Sequence, residues 1–238
     1  MRTKFEPLLA VLVPIALSVA LYALFTLTTL DDACVDPFFD AATRTWTCKN
    51  TWWANAVLHK GGRDLVFVSA VACVGVALFG ARWPRLRPWR RSAAFIALGL
   101  GLSAAIAGYL KHRSPVPAPW ESTRYGGPIP HLSPFADYPP GLELGGCFPG
   151  AHAASAFALM GLYYALRERD VKRAWLALAA GYALGLAFGA VQVIRGAHFP
   201  SHNFASAVLV SLLLAALYWI PFRGRLHARA SDDGVARG

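Results

Sequence analysis

At 238 residues the chain allows one domain or at most two, and 56% hydrophobic with only 15% charged residues is the composition of a membrane protein. It excludes intrinsic disorder, coiled coil, collagen-like repeats and a disulfide scaffold. The formal net charge of +10 fits either nucleic acid or a membrane surface, and the positions of Lys and Arg decide between them.

Apolar stretches long enough to cross about 30 Å of hydrocarbon predict six transmembrane helices, near 8–30, 64–80, 93–110, 149–166, 174–193 and 204–221. The first follows Met1-Arg2-Thr3-Lys4, but its run from Leu8 to Leu30 outlasts the roughly 7–15 residues of a signal-peptide core, so it is read as retained. Loop 31–63 carries Cys34 and Cys48, expected to pair and close a loop of about 15 residues worth roughly 3 kcal/mol. Cys73 falls mid-span as a small core residue. Loop 111–148 ends on Cys147-Phe148, just before Pro149-Gly150 at the mouth of the fourth span, where Cys147 reads as packing. A short turn, 194–203, joins the last two spans, and a basic tail occupies 222–238.

Sorted by loop, fifteen Lys and Arg fall on one side, from Arg2 and Lys4 through Arg82–Arg91 and Arg167–Arg173 to Arg223–Arg237. The remaining eight lie on the other among acidic residues: Arg44, Lys49, Lys60, Arg63, Lys111, Arg113, Arg124 and Arg195. The positive-inside rule then puts both termini in the cytoplasm. The basic excess is thus a topology signal and implies no nucleic-acid partner.

Ionisable residues gather at the outward ends of the last three spans, where such groups are costly and default to function. Lys111-His112-Arg113 leaves the third span, Pro149-Gly150-Ala151-His152 enters the fourth, and Arg195-Gly196-Ala197-His198-Phe199-Pro200-Ser201-His202 precedes the sixth. A proline and small residues opening a helix leave N–H groups open to an anion, and Lys111 and Arg195 converging on Gly150 and Ala151 specify phosphate. His198 and His202, four apart, share a helix face, so one can orient the other as a nucleophile toward phosphorus. His152 is placed to protonate the leaving oxygen.

These segments resemble the type 2 phosphatidic acid phosphatases, six-span enzymes related in fold to vanadium haloperoxidases. The family's first motif is Lys, six residues, Arg-Pro, and Lys111 and Pro119 fit it with Ala118 in the arginine position. The second, Pro-Ser-Gly-His, reads Pro149-Gly150-Ala151-His152. In the third, Ser-Arg, five residues, His, three residues, Asp, Gln192 takes the arginine position, His198 the histidine and His202 the aspartate. Arg195, about one turn beyond Gln192, is expected to supply one missing guanidinium, and Arg124 or Arg113 the other. His202 still accepts from His198 but brings no negative charge, and Arg-Gly-Ala-His-Phe-x-Ser-His points to a bacterial subgroup.

The resemblance covers about 111–206 and implies an all-α bundle in a bacterial inner membrane. It further implies metal-free hydrolysis of a lipid phosphate through a phosphohistidine at the periplasmic face. Its substrates include lipid A phosphates, undecaprenyl pyrophosphate, phosphatidylglycerophosphate and phosphatidate. Phosphotransfer by the same route and a non-catalytic lipid-phosphate binder are the alternatives, and so is a zinc site from His198, His202 and His152. The Trp residues near span ends read as interfacial belts. His59, His112, His131 and His227 belong to no constellation, and the sequence leaves the oligomeric state open.

Overall fold

The computed structural model describes residues 6–132, 136–137, 139, 141, 145–222 and 226. Arg2, Lys4, Glu143, His227 and the rest of the basic tail from Arg223, Leu226 excepted, lie outside the described residues. The protein is helical almost throughout. Helix α1 (Glu6–Thr26) is followed by the short α2 (Leu30–Val35) and a two-residue hairpin, β1 (Phe39–Asp40) with β2 (Thr45–Trp46), that pairs Phe39 with Trp46. A π-helical segment, Trp52–Gly61, runs into α3 (Gly62–Phe79), and α4 (Arg90–Arg113) returns. Then come α5 (Ala151–Phe157), a tightened 3₁₀ turn at Ala158–Gly161, α6 (Leu162–Leu166), α7 (Val171–Ile194) and α8 (Pro200–Trp219).

Local chemistry sets these boundaries. Asp170 caps α7 by accepting from the Arg173 amide at 3.1 Å, and Pro200 opens α8, where its missing N–H costs nothing. The first turn of α8 is also capped from far along the chain, because the Ser201 amide donates to Asp31 Oδ1 at 2.9 Å.

Among the described residues, five helical stretches are long and apolar enough to cross a membrane: Glu6–Thr26, Trp52–Arg82, Arg87–Arg113, Val171–Ile194 and Pro200–Trp219. The expected fourth span, 149–166, is instead a shorter composite, Ala151–Leu166, because Gly150 is extended and the 3₁₀ turn interrupts it. At 1.5 Å per residue it reaches about 24 Å, short of the roughly 30 Å needed. This segment is the centre of the bundle. Ala153, Ala154, Phe157, Met160 and Tyr163 are buried against α4, α7 and α8. On α7, a methyl at Gly185 would overlap the Phe157 ring, so glycine lets these two helices close.

The outer helices are the opposite. Helix α3 buries no residue and exposes Leu65, Phe67, Val68 and Leu78, a surface that water would penalise and hydrocarbon accepts. This is a membrane protein with an all-α fold. The ends of α4 and α7 and the starts of α5 and α8 meet at one end of the bundle, with the arginine-rich turns 82–91 and 167–173 at the other.

Candidate active site

A cavity of about 450 Å³ opens where these four helix ends meet, lined among others by Lys111, Ala118, Ala151, His152, Gln192, Arg195 and His198. The three widely spaced sequence segments therefore do converge.

His198 lies in the turn between α7 and α8, 5% exposed, and His202 on the first turn of α8 is 1% exposed. Their Nδ1 atoms are 3.4 Å apart. Cys147 Sγ lies 3.0 Å from His198 Nδ1 and 3.6 Å from His202 Nδ1, and it donates to the Ala197 carbonyl at 3.0 Å. Burial pushes the His198 pKa well below the ordinary imidazole value, with His202 and Lys111 adding to the effect, so the ring is neutral. Burial also raises the Cys147 thiol, which stays protonated and can donate. The Nδ1 of His198 is thus engaged, and Cys147, read from sequence as packing, is part of the site. Phe148 and Phe199 stand edge-on to His202 and close its other sides.

The cationic wall is held separately. Arg195, 9% exposed, donates to Gln192 Oε1 at 3.0 Å, to Asn55 Oδ1 at 3.3 Å and to the Lys49 carbonyl at 3.4 Å. Gln192 therefore sits in the motif's arginine position as a bracket for Arg195. Its amide nitrogen also reaches His59 Nδ1 at 2.8 Å. His59 and Arg63, at the junction of the π-helical segment and α3, line the cavity with Lys111 and Arg195. Sequence reasoning assigned neither to the site. The available signal was their spacing of four at the start of an apolar run, on the side where the motifs fall.

His152 lines the cavity too, its ring 4.6 Å from His59 and stacked at 4.8 Å on Phe188, and its buried Nε2 has no hydrogen-bond partner among the described residues. It is therefore not grouped with His198 and His202, so the alternative three-histidine zinc set is not assembled; the residue that joins the two histidines is Cys147.

Three further expectations are corrected. Arg124 does not line the cavity: it bonds Asp36 at 3.0 Å and approaches Asp32 at 3.5 Å, because the first loop folds its carboxylates over the second. The Gly150 amide donates to the His202 carbonyl at 3.3 Å, so the first donors left at the head of α5 are those of Ala151, His152 and Ala153. Cys34 and Cys48 are both free thiols. The first faces an apolar crevice beside Phe25, Leu186 and Phe204, while the second follows the hairpin beside Thr47.

A second, largely apolar recess of about 200 Å³ lies between α3 and α4, lined by Val66, Phe67, Ala70, Leu100 and Gly101. It shares Arg63, Ala104, His152 and Ser155 with the first cavity.

With this geometry in view, comparison with protein families matches residues 92–225, more than half of the chain, to the PAP2 superfamily. The chain belongs to the PAP2 superfamily. Neither curated proteins nor solved structures give a match. Membership makes this membrane protein a phosphatase by family, and the matched region begins at Ser92 on α4 and so contains Lys111, His152, His198 and His202 while leaving His59 and Arg63 outside it.

Proposed function

We propose that the protein hydrolyses a lipid phosphate or pyrophosphate, of the lipid A, undecaprenyl pyrophosphate or phosphatidylglycerophosphate type, through a phosphohistidine at His198. The observation that carries this reading is a neutral imidazole fixed through Nδ1 by Cys147 and His202 at the wall of a cavity that also holds Lys111 and Arg195. With Nδ1 carrying the ring proton, Nε2 keeps its lone pair for phosphorus.

The phosphoryl oxygens are bound by Lys111, Arg195 and Arg63 and by the amides at the head of α5. His198 Nε2 attacks, the bond to the lipid oxygen breaks, and His152 gives that oxygen a proton. His59, beside His152, is a neighbour through which the proton is restored. Water then cleaves the phosphorus–nitrogen bond and releases inorganic phosphate. The route asks for no metal. The apolar recess between α3 and α4 joins the cavity beside Arg63, which suits a head group in the cavity with its chain in the bilayer. The positive-inside distribution supports a cavity that faces the periplasmic side of a bacterial inner membrane.

Purified protein in detergent should release inorganic phosphate from a short-chain phosphatidate or polyprenyl pyrophosphate. His198→Ala should lower the rate by about 10³-fold or more, and His152→Ala should abolish turnover while leaving an acid-labile phosphoprotein detectable with an activated leaving group. Release undiminished in His198→Ala defeats the proposal. Binding without release from any of these lipids favours a non-catalytic binder, and label transferred to a second lipid favours phosphotransfer.

A further inference from the structure

The three buried donor atoms beside the cavity are spaced as one face of a metal tetrahedron. A zinc ion with bonds of about 2.3 Å to sulfur and about 2.0–2.1 Å to nitrogen sets its tetrahedral ligands roughly 3.6 Å apart for S and N and roughly 3.3 Å apart for N and N. Cys147 Sγ to His202 Nδ1 is 3.6 Å and His198 Nδ1 to His202 Nδ1 is 3.4 Å. The third edge, Cys147 Sγ to His198 Nδ1 at 3.0 Å, would open by about half an ångström on loading. All three residues are buried, and Cys147 and His198 line the cavity, which gives an ion a way in.

We propose that Cys147, His198 and His202 form a binding site for a thiophilic divalent cation, zinc above all, and that loading it switches the nucleophile off. The donor set is one sulfur and two imidazoles, the combination that selects zinc over magnesium or calcium. Binding expels the Cys147 thiol proton, and the thiolate offsets one of the cation's two charges in a cavity already holding Lys111 and Arg195. Three protein donors leave the fourth position to water or an anion.

Coordination through Nδ1 keeps each ring proton on Nε2. His198 then has no Nε2 lone pair for phosphorus, so a loaded site is a silent one. This second clause rests on the phosphohistidine reading. The first does not, and the two are tested by separate signals.

Detergent-purified full-length protein, stripped with chelator, is titrated with cobalt(II) and then zinc. The expected result is one equivalent of cobalt giving sulfur-to-metal absorption near the ultraviolet with visible bands of tetrahedral intensity, displaced by zinc. Cys147→Ser should lose the sulfur band and His202→Asn the tetrahedral spectrum, each variant first shown to elute as the wild type does. No tetrahedral spectrum from folded wild type, or one unchanged in Cys147→Ser, overturns the site. In parallel, zinc should inhibit phosphate release and chelator restore it. Release that is unaffected or stimulated by zinc, while cobalt binds at Cys147, overturns the switch. Should no lipid phosphate be hydrolysed by any form, the phosphatase reading falls and the cobalt spectrum still decides the site.

Discussion

The two walls of the cavity are built to different standards. The wall that carries the proposed nucleophile, Cys147, His198 and His202, is buried, and every nitrogen facing the thiol has a partner within 3.6 Å. The cation wall is bracketed just as closely where Arg195 meets Gln192 at 3.0 Å and Gln192 meets His59 at 2.8 Å, but it stands more open at Arg63, which pairs with Asp64 at an exposed position. The difference teaches where substitution is tolerated. A nucleophile must be aimed within a fraction of an ångström, whereas a guanidinium serves from any element that brings it near the phosphoryl oxygens. The two arginine positions of the family motifs hold Ala118 and Gln192 here, and cations from α3 and from the next turn stand in the same cavity.

The sharpest way to break that comparison is at Arg195. Arg195→Ala should reduce phosphate release by about 100-fold, as loss of one preorganised donor to a developing charge does, with Arg195→Lys recovering only part because a lysine lacks the fork that spans Gln192 and Asn55. Steady-state rates on one lipid phosphate decide it, and equal rates for the three forms would mean that the cation wall is not used.

Arg63→Ala should cost less, about 10-fold, mainly in KM, because the residue is reached from solvent and shares its charge with Asp64. Arg124→Ala should leave release within about 2-fold, since its guanidinium is committed to Asp36 and Asp32, and that exposed pair should contribute no more than about 1 kcal/mol to thermal stability. A larger loss of activity at Arg124 than at Arg63 would reverse our assignment of the two.

The smallest effect is expected at Asp31. Burial raises its carboxyl above the ordinary value of 3.8 despite the bond from Ser201. A raised carboxyl favours the folded state when protonated, so its contribution is greatest below pH 3.8 and falls as pH rises through the folded-state value. Asp31→Asn keeps an oxygen for the Ser201 amide without the buried charge. Its unfolding temperature relative to wild type should therefore rise between pH 4 and pH 7, and thermal melts across that range would refute this if the difference stayed flat.

Much of the nucleophile wall was legible in the sequence because its signal is local: a proline and small residues before His152, two histidines four apart, and a lysine closing an apolar run. The cation wall was legible only where it shares those segments, as at Lys111 and Arg195. His59 and Arg63 arrive by the packing of α3 and its π-helical lead-in, and their spacing of four marks a shared helix face without saying what that face meets. Cys147 was visible but reads as an apolar side chain until the His198 ring is set 3.0 Å from it. Arg124 misled for the converse reason, since its charge suits phosphate until Asp32 and Asp36 arrive from the first loop. The fourth helix forms where its apolar run, 149–166, predicts it, but Gly150 and the 3₁₀ turn, which composition does not mark, shorten it to Ala151–Leu166.

The carboxylate that caps α8 has a further consequence for how the chain is assembled. Asp31 and Ser201 are 170 residues apart, so the turn carrying His198 and His202 is completed only after synthesis has passed Ser201 and the helix it opens has packed against the first loop. Until then, a partly inserted chain holds the Asp31 carboxylate without the helix it caps. Competence therefore arrives late in biogenesis, and an incomplete copy left in the bilayer is an idle one.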